Sequence, residues 1–122
     1  MVTLSPASVV IVPFPFSDLS GTKLRPALVL AETGYEDWLL CQITSKAYAD
    51  PTAVRLTDAE LSVGTLNMTS YVRPMKLFTA HVDLIIKRVA TLDAPTFRTI
   101  LTATIESLQE NLPPLNELPV NI

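Results

Sequence analysis

The sequence has few of the residues on which many enzyme sites depend. Its 122 residues include one cysteine, Cys41, and one histidine, His81. A single cysteine excludes an internal disulfide, and a single histidine excludes a histidine-rich zinc site or a two-histidine acid–base pair within one chain. Nothing beside Cys41 in the sequence would make it a nucleophile, so we expect a buried, unreactive thiol. We expect His81 to be structural or solvated, with a general base as the alternative.

Glycine and long apolar runs are scarce as well. The three glycines, at positions 21, 34 and 64, lie too far apart to form a phosphate-binding loop. No apolar run approaches the roughly 20 residues that cross a bilayer, and no signal-peptide pattern opens the sequence. We therefore expect a cytoplasmic protein without a membrane partner.

The composition is that of a folded globular chain. Apolar residues make up 48% and charged residues 17%, and the mean hydropathy is +0.35, which favours one domain over residues 1–122. Residues 1–90 carry eight Lys or Arg and eight Asp or Glu, so the net charge of −3 comes from residues 91–122. This balance leaves room for a local basic groove but lacks the strongly basic face of a duplex-DNA binder.

Short β-branched and apolar runs predict a mainly β protein. Pro13 and Pro15 are expected to end the first strand, with a long loop over residues 14–24. Asp93 is a plausible N-cap for a C-terminal helix over residues 94–110, followed by a proline-containing tail over 111–122. The pattern favours a small barrel or strongly bent sheet, about residues 8–92, with the helix packed on it. The predicted strands are residues 8–13, 25–31, 37–43, 52–57, 70–78 and 84–91.

The candidate chemistry consists of an arginine and hydroxyl groups. Arg25 precedes Pro26, which holds its backbone extended, so its guanidinium suits a fixed phosphate. Thr44 and Ser45 end the third predicted strand and can donate hydrogen bonds to an anion. From the spacing alone an ordinary alternative stays open, in which Arg25 forms an ion pair with an acidic neighbour and the hydroxyls begin a turn. The acidic neighbours are Asp18 and Glu32.

Three segments together resemble one known family. They are VPFPFSDLSGTKLRPALVL at 12–30, WLLCQITS at 38–45 and SYVRPMKLFT at 70–79. Their order is similar to that of the PemK/MazF-type toxins of bacterial toxin–antitoxin systems, and the resemblance extends over about residues 8–108. Two departures are Ala7-Ser8 in place of a frequent Gly-Asp pair, and Gly64-Thr65-Leu66 in place of Gly-Gly-Leu.

The resemblance implies an SH3-like β-barrel with a C-terminal helix, usually a homodimer that a cognate antitoxin inhibits. It implies a sequence-specific endoribonuclease that cuts single-stranded RNA, often mRNA, without a metal or other cofactor. The family's arginine matches Arg25 and its hydroxyl matches Thr44, with Ser45 beside it, so these are the catalytic candidates. The RNA-binding candidates are Lys23, Phe16, Lys46, Ser70, Arg73 and Lys76. For Phe14 and Phe16, base stacking and core packing are equally open.

The chemistry of the candidate side chains limits the roles that they can take in RNA cleavage. Metal-free cleavage uses the RNA 2′-hydroxyl as nucleophile and leaves a 2′,3′-cyclic phosphate. Arg25 can stabilise the charge on the phosphorane and deliver a proton, but a guanidinium has no acceptor site and so cannot serve as a general base. Two other functions stay open: a non-catalytic RNA- or protein-binding module of the same fold, and a toxin with a protein target, such as a gyrase poison.

Overall fold

A computed structural model describes residues 3–15, 21–46 and 49–117. Over these residues seven strands form one antiparallel sheet in the order β4-β6-β3-β2-β1-β7-β5, and one α-helix follows the last strand. The strands are β1 Ser8–Pro15, β2 Thr22–Gly34, β3 Asp37–Thr44, β4 Val54–Leu56, β5 Leu61–Gly64, β6 Ser70–His81 and β7 Lys87–Leu92. The helix α1 spans Ala94–Gln109, with Asp93 as its N-cap, as the sequence predicts.

The sheet is curled into a half-barrel, which confirms the predicted fold. Pairing registers shift within the β1–β7, β2–β3, β3–β6 and β5–β7 pairs. Such bulges bend strands and increase their twist, which is how a small sheet folds over on itself. In the part of the chain that the structure describes, no helix is long and apolar enough to cross a membrane.

Apolar side chains cover both faces of the central strands. The inner cluster lies under α1 and includes Leu28, Cys41, Ile43 and Ile100. The outer cluster includes Val12, Ala27, Val29 and Leu40, with partly buried Phe14, Trp38 and Phe78 against it. Two-sided burial explains why residues 27–30 of β2 are apolar without alternation.

The two prolines do not end the first strand, contrary to expectation. Strand β1 continues through Pro15, with Pro13 paired to Leu24 of β2. The carbonyl oxygen of Ile11 accepts a hydrogen bond from the backbone N–H of Ile86, 2.9 Å away, so alternate residues of β1 direct their backbone groups away from β2. Pro13 and Pro15 share this orientation, and their missing N–H groups therefore remove no bond to β2. As a result, Lys23 lies in a strand and not in a loop.

The structure also corrects two later assignments. The predicted connection over residues 58–69 contains a 3₁₀ turn, Asp58–Glu60, and the short strand β5. The strand predicted over 84–91 begins only at Lys87, because Val82–Leu84 form a 3₁₀ turn. Both errors arise where a few residues sit between two turns, so that periodicity carries little information.

Gly64 generates a prediction about the closure of this sheet. Its φ is +82°, and a Cβ there would overlap the carbonyl oxygen of Val89 and approach the Cα of Ala90 at 2.7 Å. Gly64→Ala should therefore lower the free energy of unfolding by about 2 kcal/mol or more, measured by urea denaturation. Gly34→Ala is the control, since it has φ +108° and nothing within 4 Å. Equal losses in the two variants would contradict the role of close strand approach.

Candidate functional site

A cavity of about 340 Å³ opens at one end of the curled sheet. Its walls come from the first residues of β2, β6 and β7, the end of β3 and the loop between β5 and β6. Segments far apart in sequence therefore meet because antiparallel strands begin and end at the same rim. The lining residues include Lys23, Arg25, Thr44, Ser45, Ser70 and Lys87.

Arg25 is held by strand pairing on the cavity wall. It lies in β2 opposite Val12 of β1, and its side chain is half-buried, whereas Lys23 two residues earlier is exposed. Pro26 follows and restricts the backbone of Arg25 to extended conformations. A guanidinium on a backbone fixed in this way can present several N–H donors to one anion.

Thr44 is the last residue of β3 and is 3% exposed. Its Oγ1 accepts a hydrogen bond from the backbone N–H of Lys46 at 3.2 Å. Because the oxygen acts as acceptor in this bond, the hydroxyl keeps its own proton to donate. Ser45 follows on the same wall and is exposed, so two hydroxyl groups and Arg25 share one cavity.

The loop between β5 and β6 forms the opposite wall and is held by Asp58. The carboxylate of Asp58 accepts hydrogen bonds from Thr65 Oγ1 at 2.7 Å and from the backbone N–H of Leu66 at 3.0 Å. The bond from Leu66, followed by that from Thr65, holds the pKa of Asp58 below its usual range. Asn67, with φ +65°, completes the turn and lines the cavity together with the exposed Met68.

The electrostatics of the cavity favour an anion. Among the described residues that line it, Lys23, Arg25 and Lys87 are cationic and none is acidic. Lys87 was not a sequence candidate; it reaches the cavity because it begins β7 and pairs with Ile11 of β1. No local motif marks Lys87, since only the register of distant strands brings it to Arg25.

Two predicted RNA-binding residues lie elsewhere. Arg73 and Lys76 line a second, open cavity of about 390 Å³, where Arg73 contacts Asp50. Lys46 is exposed beside Ser45 but does not line the first cavity. Phe16 lies outside the described residues, so the prediction that it binds RNA stays a prediction.

The remaining candidates occupy structural positions. Cys41 is fully buried, and this burial raises the pKa of its thiol to about 12, as expected for an unreactive cysteine. His81 Nδ1 accepts from the backbone N–H of Asp83 at 3.2 Å and caps a 3₁₀ turn. The rings of Phe14 and Phe78 pack edge to face with centroids 4.6 Å apart, which favours core packing over stacking for Phe14.

Ligands for a metal are not clustered in the described parts of the chain. Across residues 3–15, 21–46 and 49–117, no group of three or more His, Cys, Asp or Glu side chains is placed to hold a metal ion. The cavity instead offers guanidinium, ammonium and hydroxyl donors. These are groups that bind phosphate directly.

The fold and the site define a class of protein: a small curled barrel with a cationic, hydroxyl-lined cavity whose donor groups suit a phosphate. The particular family follows from the sequence: the model of the PemK-like, MazF-like toxins of type II toxin–antitoxin systems matches residues 5–108. Because the match covers most of the chain, the protein belongs to this family, which confirms the resemblance inferred from its motifs. A search of curated protein sequences finds no significant match.

Solved structures share the fold at low sequence identity. A mycobacterial endoribonuclease in complex with its cognate antitoxin is 16% identical, with a TM-score of 0.70 over 91% of this chain and 100% of that one. The MazE-MazF structure from Deinococcus radiodurans is 20% identical, with a TM-score of 0.65 over 87% and 96%. Mycobacterium tuberculosis toxin MazF-mt6 is 20% identical, with a TM-score of 0.63 over 84% and 96%.

Asp58 gives a pH-dependent prediction for the loop wall. Its pKa is lowered on folding, so its stabilising contribution is present above the unfolded pKa of about 3.9 and is lost as pH falls through the folded pKa. Asp58→Ala should increase amide hydrogen exchange at Leu66 at neutral pH, and the difference from wild type should shrink in acid. Asp58→Asn keeps one acceptor oxygen, so its exchange rate at Leu66 should lie between those of wild type and Asp58→Ala. Unchanged exchange in Asp58→Ala would contradict this role.

Proposed function

We propose that this protein is a toxin endoribonuclease that cuts single-stranded RNA at a short sequence, without a metal. The observation that carries the proposal is the meeting of Arg25 with Thr44 and Ser45 in one cationic cavity. Membership of the toxin family and the structural similarity to a mycobacterial endoribonuclease support it. The messenger RNA class of substrate follows from the resemblance and belongs to the same proposal.

The chemistry suits the groups that the cavity contains. The 2′-oxygen of the ribose attacks the adjacent phosphorus and loses its proton, the bond from phosphorus to the 5′-oxygen breaks, and that oxygen gains a proton. The products are a 2′,3′-cyclic phosphate and a 5′-hydroxyl. Arg25 stabilises the negative charge that grows on the phosphoryl oxygens, while Thr44 and Ser45 donate hydrogen bonds that align the phosphate.

The cavity also suits an unpaired strand. A base must leave its stack before its edges can be read, which favours single-stranded substrate. Next to the cations the cavity wall carries apolar side chains, Leu24 and Met68, which are 56% and 61% exposed. Apolar surface beside phosphate-binding groups is the combination that single-stranded nucleic acids require, because they present base faces and phosphates alternately.

The first test is cleavage of a long single-stranded RNA in EDTA, with fragment ends mapped by mass spectrometry. Wild type should give discrete cuts that end in cyclic phosphates. Arg25→Ala should lower the rate by about 10²- to 10³-fold, because it removes preorganised charge stabilisation. Thr44→Val should lower it by about 10- to 100-fold, as for the loss of one hydrogen bond to a charged group.

Two control variants separate the site from general effects. Arg98→Ala removes an exposed arginine from α1, away from the cavity, and should cleave like wild type. Thr44→Ser keeps the hydroxyl and should retain most of the activity. Intact RNA from folded wild type would contradict the proposal and favour a binding module or a protein target such as gyrase, which a supercoiling assay would then examine.

We further propose a homodimer whose activity a cognate antitoxin blocks. The Deinococcus neighbour is a MazE-MazF structure and the mycobacterial one contains its antitoxin. Leu84 and Ile86 flank buried Ile85 of the outer cluster and are 54% and 51% exposed. Such apolar side chains at the border of a core cluster are surface that association would bury.

Light scattering after size exclusion tests the dimer. Wild type should show twice the chain mass of 13.3 kDa, and Ile86→Glu should shift the equilibrium toward monomer because it places a charge in the interface. Leu112→Glu, at an exposed apolar position beyond α1, is the matched control and should leave the mass unchanged. A wild-type mass of one chain at all concentrations would refute the homodimer.

A further inference from the structure

Strand β6 contains a large bulge close to the candidate site. Cys41 of β3 pairs with Leu77, but the next residue, Gln42, pairs with Arg73. Residues 74–76 are therefore extra on the β6 side of the ladder. The bulge begins at Pro74, which has no N–H group to donate and is suited to an interruption of this kind.

Arg73 bridges this bulge with two directed hydrogen bonds. Its Nε donates to Asp50 Oδ2 at 2.8 Å, and its Nη1 donates to Gln42 Oε1 at 3.0 Å. The side chains of Arg73 and Asp50 are only 24% and 11% exposed. Asp50 Oδ1 accepts two further bonds from Thr52, from the backbone N–H at 2.9 Å and from Oγ1 at 2.7 Å. One guanidinium thus ties β3, β6 and the segment after β3 together.

The helix holds the same bulge from its other side. Thr104 of α1 is buried, and its Oγ1 donates to the carbonyl oxygen of Pro74 at 2.8 Å. A strand bulge would otherwise leave backbone polar groups without ladder partners. The path of β6 at residues 73–74 is therefore fixed by contacts on both sides.

We infer that Arg73 is a positioning residue for the candidate active site, which it serves by fixing the ends of β3 and β6 and not by contacting RNA. The inference rests on the proposed function. Gln42 precedes Thr44 by two residues in β3, and Ser70 precedes Arg73 by three in β6. Both Thr44 and Ser70 line the first cavity. The Arg73 bridge therefore holds the two strands two to three residues away from the side chains that line it.

The charge at Asp50 supports this role over direct phosphate binding. The hydrogen bond from Arg73, the largest influence, lowers the pKa of Asp50, so the carboxylate is ionised at neutral pH beside the guanidinium. A phosphate that approached Arg73 would meet a negative charge 2.8 Å from Nε. The same arrangement suits a structural bridge, because the planar guanidinium of Arg73 has enough donors to bond the side-chain oxygens of Asp50 and Gln42 together.

The experiment compares Arg73→Lys and Asp50→Asn with wild type on a short RNA oligonucleotide that wild type cleaves. If Arg73 positions the site, both variants weaken the same bridge, since lysine lacks the planar fork and asparagine has one acceptor oxygen in place of two; kcat should fall by about 10- to 100-fold with KM within about twofold. The salt dependence of RNA binding should be the same in both variants as in wild type. Hydrogen exchange over residues 42–46 should increase in both variants, a readout that does not require cleavage. Arg55→Gln, an exposed arginine in β4, is the control and should match wild type.

The alternatives give different results. If Arg73 binds phosphate, Arg73→Lys should keep most activity, Asp50→Asn should bind RNA more tightly, and Arg73→Gln should lower the salt slope by about 0.7; this pattern overturns the inference. Unchanged kcat and unchanged exchange in Asp50→Asn would overturn it as well. Absence of cleavage by wild type defeats the proposed function instead, and the exchange measurement still decides whether the bridge orders the β3 end.

Discussion

The pairing of β2 between β1 and β3 is the constraint on which the rest of the structure depends. Four successive buried residues, 27–30, place side chains in the inner and outer clusters, so this strand cannot shift register without exposing apolar surface on two faces. Arg25 is carried on the same strand, opposite Val12. The backbone position of Arg25 is therefore determined by core packing several residues away.

The two Arg-Pro pairs show that one dipeptide serves different purposes in one sheet. At Arg25-Pro26 the strand continues in register, and the arginine lines a cavity in which no described lining residue is acidic. At Arg73-Pro74 the ladder is interrupted, and the arginine contacts Asp50 and Gln42. Proline restricts the preceding backbone in both places. Among the residues that the structure describes, Asp50 provides a carboxylate to Arg73, whereas no acidic residue lines the cavity of Arg25, and this difference depends on tertiary structure.

Local sequence therefore predicts the strands and the helix better than it predicts the residues that line the cavity. The run around Val9 and Val10, the Asp93 cap and the Arg25-Pro26 dipeptide are local signals, and the half-barrel, the helix and Arg25 were predicted from them or from the family resemblance. Lys87 and the Thr65–Met68 wall carry no such signal, since they reach the cavity through strand register and through two hydrogen bonds to Asp58. The sequence does not predict the continuation of β1 through Pro15 for a related reason. Whether a proline removes a ladder hydrogen bond depends on which neighbouring strand its backbone faces, and this is set by tertiary structure.

The distribution of acids explains how a chain of net charge −3 can present a cationic cavity. Asp58 and Asp50 lie beside the two cavities, but each carboxylate is engaged by internal donors: Asp58 by the loop wall, Asp50 by Arg73 and Thr52. The acids of the C-terminal quarter lie at the N-cap of α1, on the helix and beyond it. At physiological ionic strength interactions between exposed charges are largely screened beyond about 8 Å, so an anion in the cavity would respond mainly to the lining cations Lys23, Arg25 and Lys87 and less to the net charge. Long-range attraction therefore contributes little, and selectivity for a substrate must come from contacts inside the cavity. The placement of Arg25 and Thr44 on paired strands therefore matters more than the total charge.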